Sequence, residues 1–378
     1  MPSPHGGLRS IVMLLPELSP APKKPRGTAN AGPALHPLTN DKTSAPAVSV
    51  IVSTHNRLRL LELAIRSVLA QTFQDFELLI CDDASTEDVA GLLKAFSDER
   101  IRLVPSTHNL GVAANNFRGY REARGRYLAH LDDDDEWTPN YLKVMTDALE
   151  QHPECSLAFS NHTVIDDRGR ESIVLTERGE DEWGRSSLVQ GVYMPFIQIA
   201  VVRRSIPTSH SSVLRASAID LSRLCANVGY GWDLWLTYLA ARDGAGAYFT
   251  PARLTRYRRH GSQQTGGATE LPTYAGLSFC DRQFLADPNL APVHHILKRR
   301  FAQTQVFFCV ALLQRGRIAD ARAVLRTGLR IQFVPAALPA MVVAYLPTSL
   351  SRTIARAATR IVARRRVSRQ TTDLTAPY

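Results

Sequence analysis

Apolar positions begin to recur with a clear period at residue 48. Val48-Ser-Val-Ile-Val-Ser-Thr54 is a β-branched run that predicts a strand. Leu58, Leu61, Ala64, Ile65, Val68 and Leu69 then follow at helical spacing. Phe76–Cys81 repeats the strand, Asp82-Asp-Ala-Ser-Thr86 the loop and Glu87–Phe96 the helix. Ile101–Val104 is a third strand, Asn109–Arg124 a glycine-led loop entering a helix that ends at Gly125, and Tyr127–Leu131 a fourth strand. That strand runs into Asp132-Asp-Asp-Asp-Glu136. After Trp137-Thr-Pro139 a helix is predicted over Tyr141–Glu150, with proline just ahead of its first turn. The order β-α-β-α-β-α-β predicts an open parallel sheet. Thr54, Asp82, Asp83 and Asp132–Asp135 then share the edge formed by the strands' carboxyl ends, where such sheets bind small molecules.

Beyond Ser156 the pattern predicts a strand pair around Leu157–Ser160 and Ile173–Leu175, and a helix at Ala216–Leu224. Gly229-Tyr-Gly-Trp-Asp233 then opens a helix over Leu234–Ala241, and Ala247–Thr250 is a strand. After His260 a Gly/Gln/Thr-rich run to about Thr269 has the composition of a mobile loop. Helical spacing dominates from there: Val293–Leu313, Ile318–Leu329, Ile331–Leu350 and Ile354–Val367. Residues 331–351 carry no charge, yet Pro335, Pro339 and Pro347 interrupt them, which favours a buried or interfacial hairpin over a membrane span. Residues 1–47 are rich in Pro, Ala, Gly, Ser and Thr around Lys23-Lys24-Pro25-Arg26 and show no period. They cannot bury enough apolar surface to offset the entropy of ordering. Three regions result: a disordered leader (1–47), an α/β domain (48–270) and a helical extension with a basic tail (271–378).

The net charge of +10 invites a nucleic-acid reading, but its distribution does not support one. Residues 1–47 hold +3 and residues 351–378, with seven arginines against Asp373, hold +6, which leaves the folded middle close to neutral. The tail's arginines suit an anionic membrane surface, or simply keep the tail solvated. Five cysteines without Cys-x-x-Cys spacing suit buried thiols in a reducing compartment. The apolar piece Ile11–Leu15 is cut by Pro16 and Glu17 and is too short for a signal-peptide core. The expected location is the cytoplasm or the cytoplasmic face of the membrane.

Four adjacent aspartates at a strand end oppose one another's ionisation unless cations or donors balance them. A divalent metal supplies that balance, since Mg²⁺ or Mn²⁺ prefers carboxylate, water and phosphate oxygens and commonly bridges a protein to a diphosphate. Together with the aspartate run, the segments Val50-Ile-Val-Ser-Thr-His-Asn-Arg57, Cys81-Asp-Asp-Ala-Ser-Thr-Glu-Asp88, Asn109-Leu-Gly111 and Ala123-Arg-Gly-Arg-Tyr127 resemble the inverting, nucleotide-sugar-dependent glycosyltransferases of family 2. That family has the Rossmann-like GT-A fold, and the resemblance spans roughly residues 48–262.

The resemblance implies that Thr54, Asn56 and Arg57 line the nucleotide pocket and that Asp82 or Asp83 meets the base or the ribose. Asp132 and Asp134 take the outer positions of the Asp-x-Asp signature and would hold the metal, with Asp134 the better candidate for direct contact, Asp132 nearer the ribose and metal shell, and Asp133 beside the donor. Asp233 matches the second acid of the family's Glu/Asp-Asp pair and so the catalytic base, although Trp232 stands where the first acid is usual. An ordinary helix-capping role is the alternative for Asp233. Tyr257-Arg-Arg-His260 resembles a Tyr-Arg-x-His segment, so that His260 and Arg258 or Arg259 would meet the diphosphate or the metal; an ordinary surface role is the alternative for the arginines. Asn115-Asn-Phe-Arg118 departs from the Ala-Arg-Asn common in relatives, which loosens the prediction of donor identity. The implied activity is metal-assisted transfer from a nucleoside-diphosphate sugar, a UDP-sugar favoured, to a hydroxyl of a glycan, lipid-linked or small-molecule acceptor. The rivals are a nucleotidyltransferase acting on sugar phosphates, which would want a glycine-rich basic loop after the first strand, and a non-catalytic nucleotide-sugar-binding module.

Overall fold

A computed structural model of the chain describes residues 45–260 and 270–357. The expected leader up to residue 44, the loop at 261–269 and the tail from 358 lie outside the described residues. Strands β1 (Val48–Thr54), β2 (Phe76–Asp82), β3 (Ile101–Pro105) and β4 (Tyr127–Asp132) alternate with helices α1 (Leu58–Leu69), α2 (Val89–Phe96) and α3 (Val112–Glu122). The strands pair in parallel in the order β3-β2-β1-β4. Register carries the chemistry to one edge, because Thr54 sits opposite Asp82 while Ser53 sits opposite Asp132. β1 is buried along almost its whole length, as a strand covered on both faces must be.

The sheet then changes direction. After β5 (Glu136–Trp137) and α4 (Tyr141–Gln151) come β6 (Cys155–Ile165), α5 (Ile173–Glu182), β7 (Gly191–Tyr193) and β8 (Ser212–Arg215). Strand β8 pairs antiparallel with β4 and β6, and β6 runs parallel to the long β9 (Gly246–Arg258). β9 extends eight residues past the strand expected at Ala247–Thr250, and this length brings Arg258 and His260 back to the aspartate loop.

Two expectations for this half are corrected. Ile173–Leu175 is the first turn of α5 rather than a strand, because Ser172 caps the helix by accepting from the Leu175 N–H, and Ile173 and Val174 remain exposed. Ala216–Leu224 forms two 3₁₀ turns, Ala216–Ala218 and Leu221–Arg223, with Asp220 between them accepting from the Ser222 N–H.

Helix α6 (Trp232–Ala241) and β9 precede residues 261–269, and beyond these come α7 (Glu270–Ala286), α8 (His294–Gln314), α9 (Ile318–Ile331) and α10 (Ala337–Tyr345). The apolar run 331–350 is thus a nine-residue helix preceded by a non-helical turn, with residues 348–357 helical again. No helix among the described residues is long and apolar enough to cross a membrane.

The core passes straight through the boundary expected at 270. Cys280, Phe284, Leu290, Val293 and Leu297 share one cluster with Ile199, Trp232, Trp235 and Tyr238. A buried charged link reinforces the join: Arg300 donates through Nε to Asp281 Oδ1 at 3.0 Å, and Arg204 reaches the same oxygen at 3.4 Å. All five cysteines are unpaired and four are buried, with the Cys81 and Cys155 thiols pushed up to about 12 by burial.

Candidate active site

The carboxyl ends of β1, β2 and β4 place three loops side by side, and hydrogen bonds between them fix the site. Asn56, in the left-handed region at φ 54°, accepts from Thr86 N–H at 2.7 Å, while its own N–H donates to Ser85 Oγ at 2.9 Å. These bonds staple the first loop to the second. Asp83 is buried and accepts from the Leu110 and Gly111 N–H groups at 2.7 and 3.0 Å. Gly111 at φ +83° lets the chain turn into α3 there. Asp82 holds only the short turn at Ser85 N–H, 3.1 Å away, and stays partly exposed.

The aspartate loop divides its four carboxylates. Asp133 turns inward, accepting from Thr54 Oγ1 at 2.8 Å and Arg57 Nη1 at 2.9 Å, and desolvation carries it up to about 7 against the opposing pull of Arg57. Arg57 Nη1 also reaches Asp134 Oδ2 at 2.9 Å, and His260 Nε2 lies 3.1 Å from the same oxygen. Asp134 is raised by burial and then by Asp132. Asp135 accepts from the Arg258 N–H through Oδ1 at 2.7 Å, but its buried Oδ2 has no hydrogen bond and stands 3.5 Å from His210 Nδ1. Ligand oxygens of Asp132, Asp134 and Asp135 lie within 4.8 Å of one another. An all-carboxylate set with one oxygen unsatisfied fits a hard divalent cation. Asp135 is thus a candidate ligand that the Asp-x-Asp pattern passes over, while His260 borders the set through Asp134.

Arg258 is buried, and its guanidinium spends Nε on the Asp134 carbonyl at 3.0 Å, Nη1 on the Asp166 carbonyl at 3.0 Å and Nη2 on Glu136. It clamps the aspartate loop to β9 and the turn after β6. Behind Asp132 stands a ring wall. His130 Nε2 is 3.5 Å from Asp132 Oδ1, and the imidazole stacks on Tyr120 and meets the Trp232 ring at 4.5 Å between centroids. Trp232, standing where the family has an acid, therefore builds this wall rather than contributing charge.

Asp233 follows in the first turn of α6, its Oδ1 accepting from the Leu234 N–H at 2.7 Å. Its carboxyl is raised chiefly by burial, then by Asp132, while Arg204 opposes the rise. Burial holds the Tyr120 hydroxyl well above its usual range, and the charges of Asp132 and Asp233 add to the rise. The approach of α7 sets the entry to α6. Gly276 lies so close that a Cβ there would overlap the Val228 carbonyl oxygen, and the Cys280 thiol donates to the Gly231 carbonyl at 3.7 Å. No local sequence pattern signals Arg204 or Gly276 as neighbours of the site, because their proximity to Asp233 exists only once the helices are docked.

Residues 49–204 match the model of glycosyl transferase family 2. Within that segment the chain is of family 2. The chain is 33% identical over 118 residues, 31% of its length and 46% of the relative's, to the UDP-Glc:alpha-D-GlcNAc-diphosphoundecaprenol beta-1,3-glucosyltransferase WfgD of Escherichia coli. It is 36% identical over 121 residues, 32% of its length and 43% of the relative's, to the putative colanic acid biosynthesis glycosyl transferase WcaA of Escherichia coli (strain K12). The matched region thus spans under half of these relatives. Among solved structures, S. aureus TarS 1-349 in complex with UDP-GlcNAc superposes with a TM-score of 0.54 at 14% identity, over 83% of this chain and 91% of that one. The mannosyltransferase PcManGT from Pyrobaculum calidifontis in complex with GDP-Man and Mn2+ does so with a TM-score of 0.50 at 17% identity, over 93% and 91%. These likenesses establish the GT-A-like open sheet with helices following it.

Proposed function

We propose that the family 2 chain transfers a sugar from a nucleoside-diphosphate sugar, a UDP-sugar favoured, to an acceptor hydroxyl with inversion at the anomeric carbon. The observation that supports this most is the carboxylate group Asp132, Asp134 and Asp135 at the strand-end edge, with Asp233 at the start of α6 near enough for Asp132 to raise its carboxyl. Asp82, the less committed of the two loop acids, would meet the base or ribose; Thr54 and Arg57 would hold the aspartate loop beneath the diphosphate. Mn²⁺ or Mg²⁺ held by Asp132, Asp134 and Asp135, with His260 alongside, would stabilise the charge that develops on the leaving diphosphate. Asp233 would take the proton from the acceptor hydroxyl as its oxygen attacks the anomeric carbon from the opposite face, and its raised basicity suits that task.

The acceptor reading follows the relatives: WfgD's name specifies a diphosphoundecaprenol-linked GlcNAc, which supports a lipid-linked glycan here too. A nucleotidyltransferase is disfavoured because the loop after β1 holds Ser53-Thr-His-Asn-Arg57, with no glycines and with Arg57 committed to Asp133 and Asp134. A binding module without catalysis is separated by one substitution. Asp233→Asn should cut turnover by about 10²- to 10⁴-fold, read as nucleotide and sugar release by mass spectrometry with a panel of donors and Mn²⁺, while calorimetric donor binding stays near wild type. Unchanged turnover would remove Asp233 as the base, and no donor bound by the wild-type chain would remove the whole reading.

A further inference from the structure

Helix α10 is built inside out. It turns its small residues Ala337, Ala340 and Ala344 into the protein and leaves Leu338, Val342 and Tyr345 54, 65 and 56% exposed along the opposite face at i, i+4, i+7 spacing. A helix that only needed to cover a core would place its large side chains inward. The outward apolar surface continues through exposed Ile331 and Phe333 before α10 and exposed Leu350 and Ile354 after it.

Cations accompany this surface. Arg322 of α9 lies over the Tyr345 ring at 4.8 Å and donates to the Ala344 carbonyl at 2.8 Å, which fixes α9 against the end of α10. Arg326 and Arg330 follow Arg322 at four-residue steps, exposed on the same flank of α9 as it runs back toward the start of α10. Arg352 and Arg356 are exposed just beyond. Between residues 318 and 357 the sequence holds five arginines and one acid, Asp320.

From this juxtaposition we propose that the outward face of α10, with the arginines of α9 and of residues 348–357, docks on an anionic lipid surface, the apolar side chains entering the headgroup boundary and the guanidiniums meeting lipid phosphates. This surface is separate from the active site and does not depend on the reaction assigned there. Charge chooses the occupant: a second copy laid face to face on the same patch would set arginine against arginine, whereas an anionic bilayer complements both the charge and the apolar row. A chain so docked would sit where a lipid-linked acceptor is held.

The test is sedimentation of the full chain with phosphatidylcholine vesicles with and without phosphatidylglycerol, alongside light scattering for its mass in solution. Wild type should bind the anionic vesicles and lose them as salt rises. Arg326→Gln with Arg330→Gln should weaken that binding about thirtyfold, and Leu338→Glu with Val342→Glu should abolish it, with melting temperature and activity on a soluble acceptor unchanged. Wild type that ignores anionic vesicles, or a Leu338→Glu/Val342→Glu protein that still binds them, would overturn the proposal; the latter result would assign binding to the basic tail alone. A fall in solution mass in that double variant, with vesicle binding retained, would reassign the face to self-association.

Discussion

Asp133 gives both its oxygens to the protein, accepting from Thr54 and Arg57, and so holds the loop. Asp134 meets Arg57 and His260 through Oδ2, and Asp135 accepts from the Arg258 N–H through Oδ1 while its Oδ2 has no hydrogen bond. Such a site costs stability when no cation is present. Asp133 is carried up to about 7 by burial, and Asp134 and Asp135 move in the same direction. A carboxyl whose folded pKa lies above its unfolded value near ~4 retains its proton longer in the folded state. Stability of the metal-free protein therefore falls as pH rises from about 4 through about 7 and levels off above. The Asp133 contribution is at most about 4 kcal/mol, reduced by whatever relaxation the loop allows. Melting curves in chelator should show the transition dropping across that window, Asp133→Asn should flatten the slope, and added Mn²⁺ should raise the transition more above pH ~7 than below pH ~5. A pH-independent transition in chelator would mean that the loop acids are solvated and the cradle is not preformed.

At the scale of elements, the first four strands and the loops after them were legible in the sequence because each β-branched run is bounded by turn residues and followed by a 3.6-residue period. The observed register then set Thr54, Asp82 and Asp132 together as expected. Legibility failed where a local polar bond outweighed apolar spacing, as when Ser172 turned Ile173–Leu175 into a helix start. It failed again where function depends on docking: α7 lies outside the periodic segments recognised in the sequence, yet it sets the position of Asp233. Its contact at Gly276 gives the check. Gly276→Ala should cost about 1–3 kcal/mol through overlap with the Val228 carbonyl and displace the turn that delivers Asp233. Turnover should then fall while donor affinity stays within about twofold. Gly179→Ala in α5, whose added methyl meets nothing within 4 Å, should leave turnover unchanged and hold or raise stability by up to about 1 kcal/mol. Equal behaviour of the two variants in melting and turnover assays would mean that the α7 contact does not position the base.

For the whole molecule, the +10 charge separates from the chemistry. The acids that define the site are concentrated in a nearly neutral sheet, and the described part of the basic excess gathers on helices whose apolar faces point outward. Those helices are not one unit energetically. Cys280, Phe284, Leu290, Val293 and Leu297 complete the cluster around Trp232 and Trp235, whereas Val306, Cys309, Leu312, Leu325 and Ala340 form a separate cluster farther along. Asp281 joins the first group to the sheet by accepting from both Arg300 and Arg204, and a buried ion pair stripped of one partner commonly costs about 3–5 kcal/mol. A chain ending at residue 269 would lose the first cluster's cover and leave Arg204 without Asp281, so it should show no cooperative melting and bind no donor. A chain ending at residue 317 keeps α7, α8 and the Asp281 link, loses only the cover over the end of α8, and should retain a cooperative transition and donor binding by calorimetry. If the shorter chain melted cooperatively and bound donor like the longer one, α7 would be an appendage to the sheet. Its grip on the α6 entry would then be dispensable, and the helices after 270 would have the proposed lipid-facing side of α10 as their remaining role.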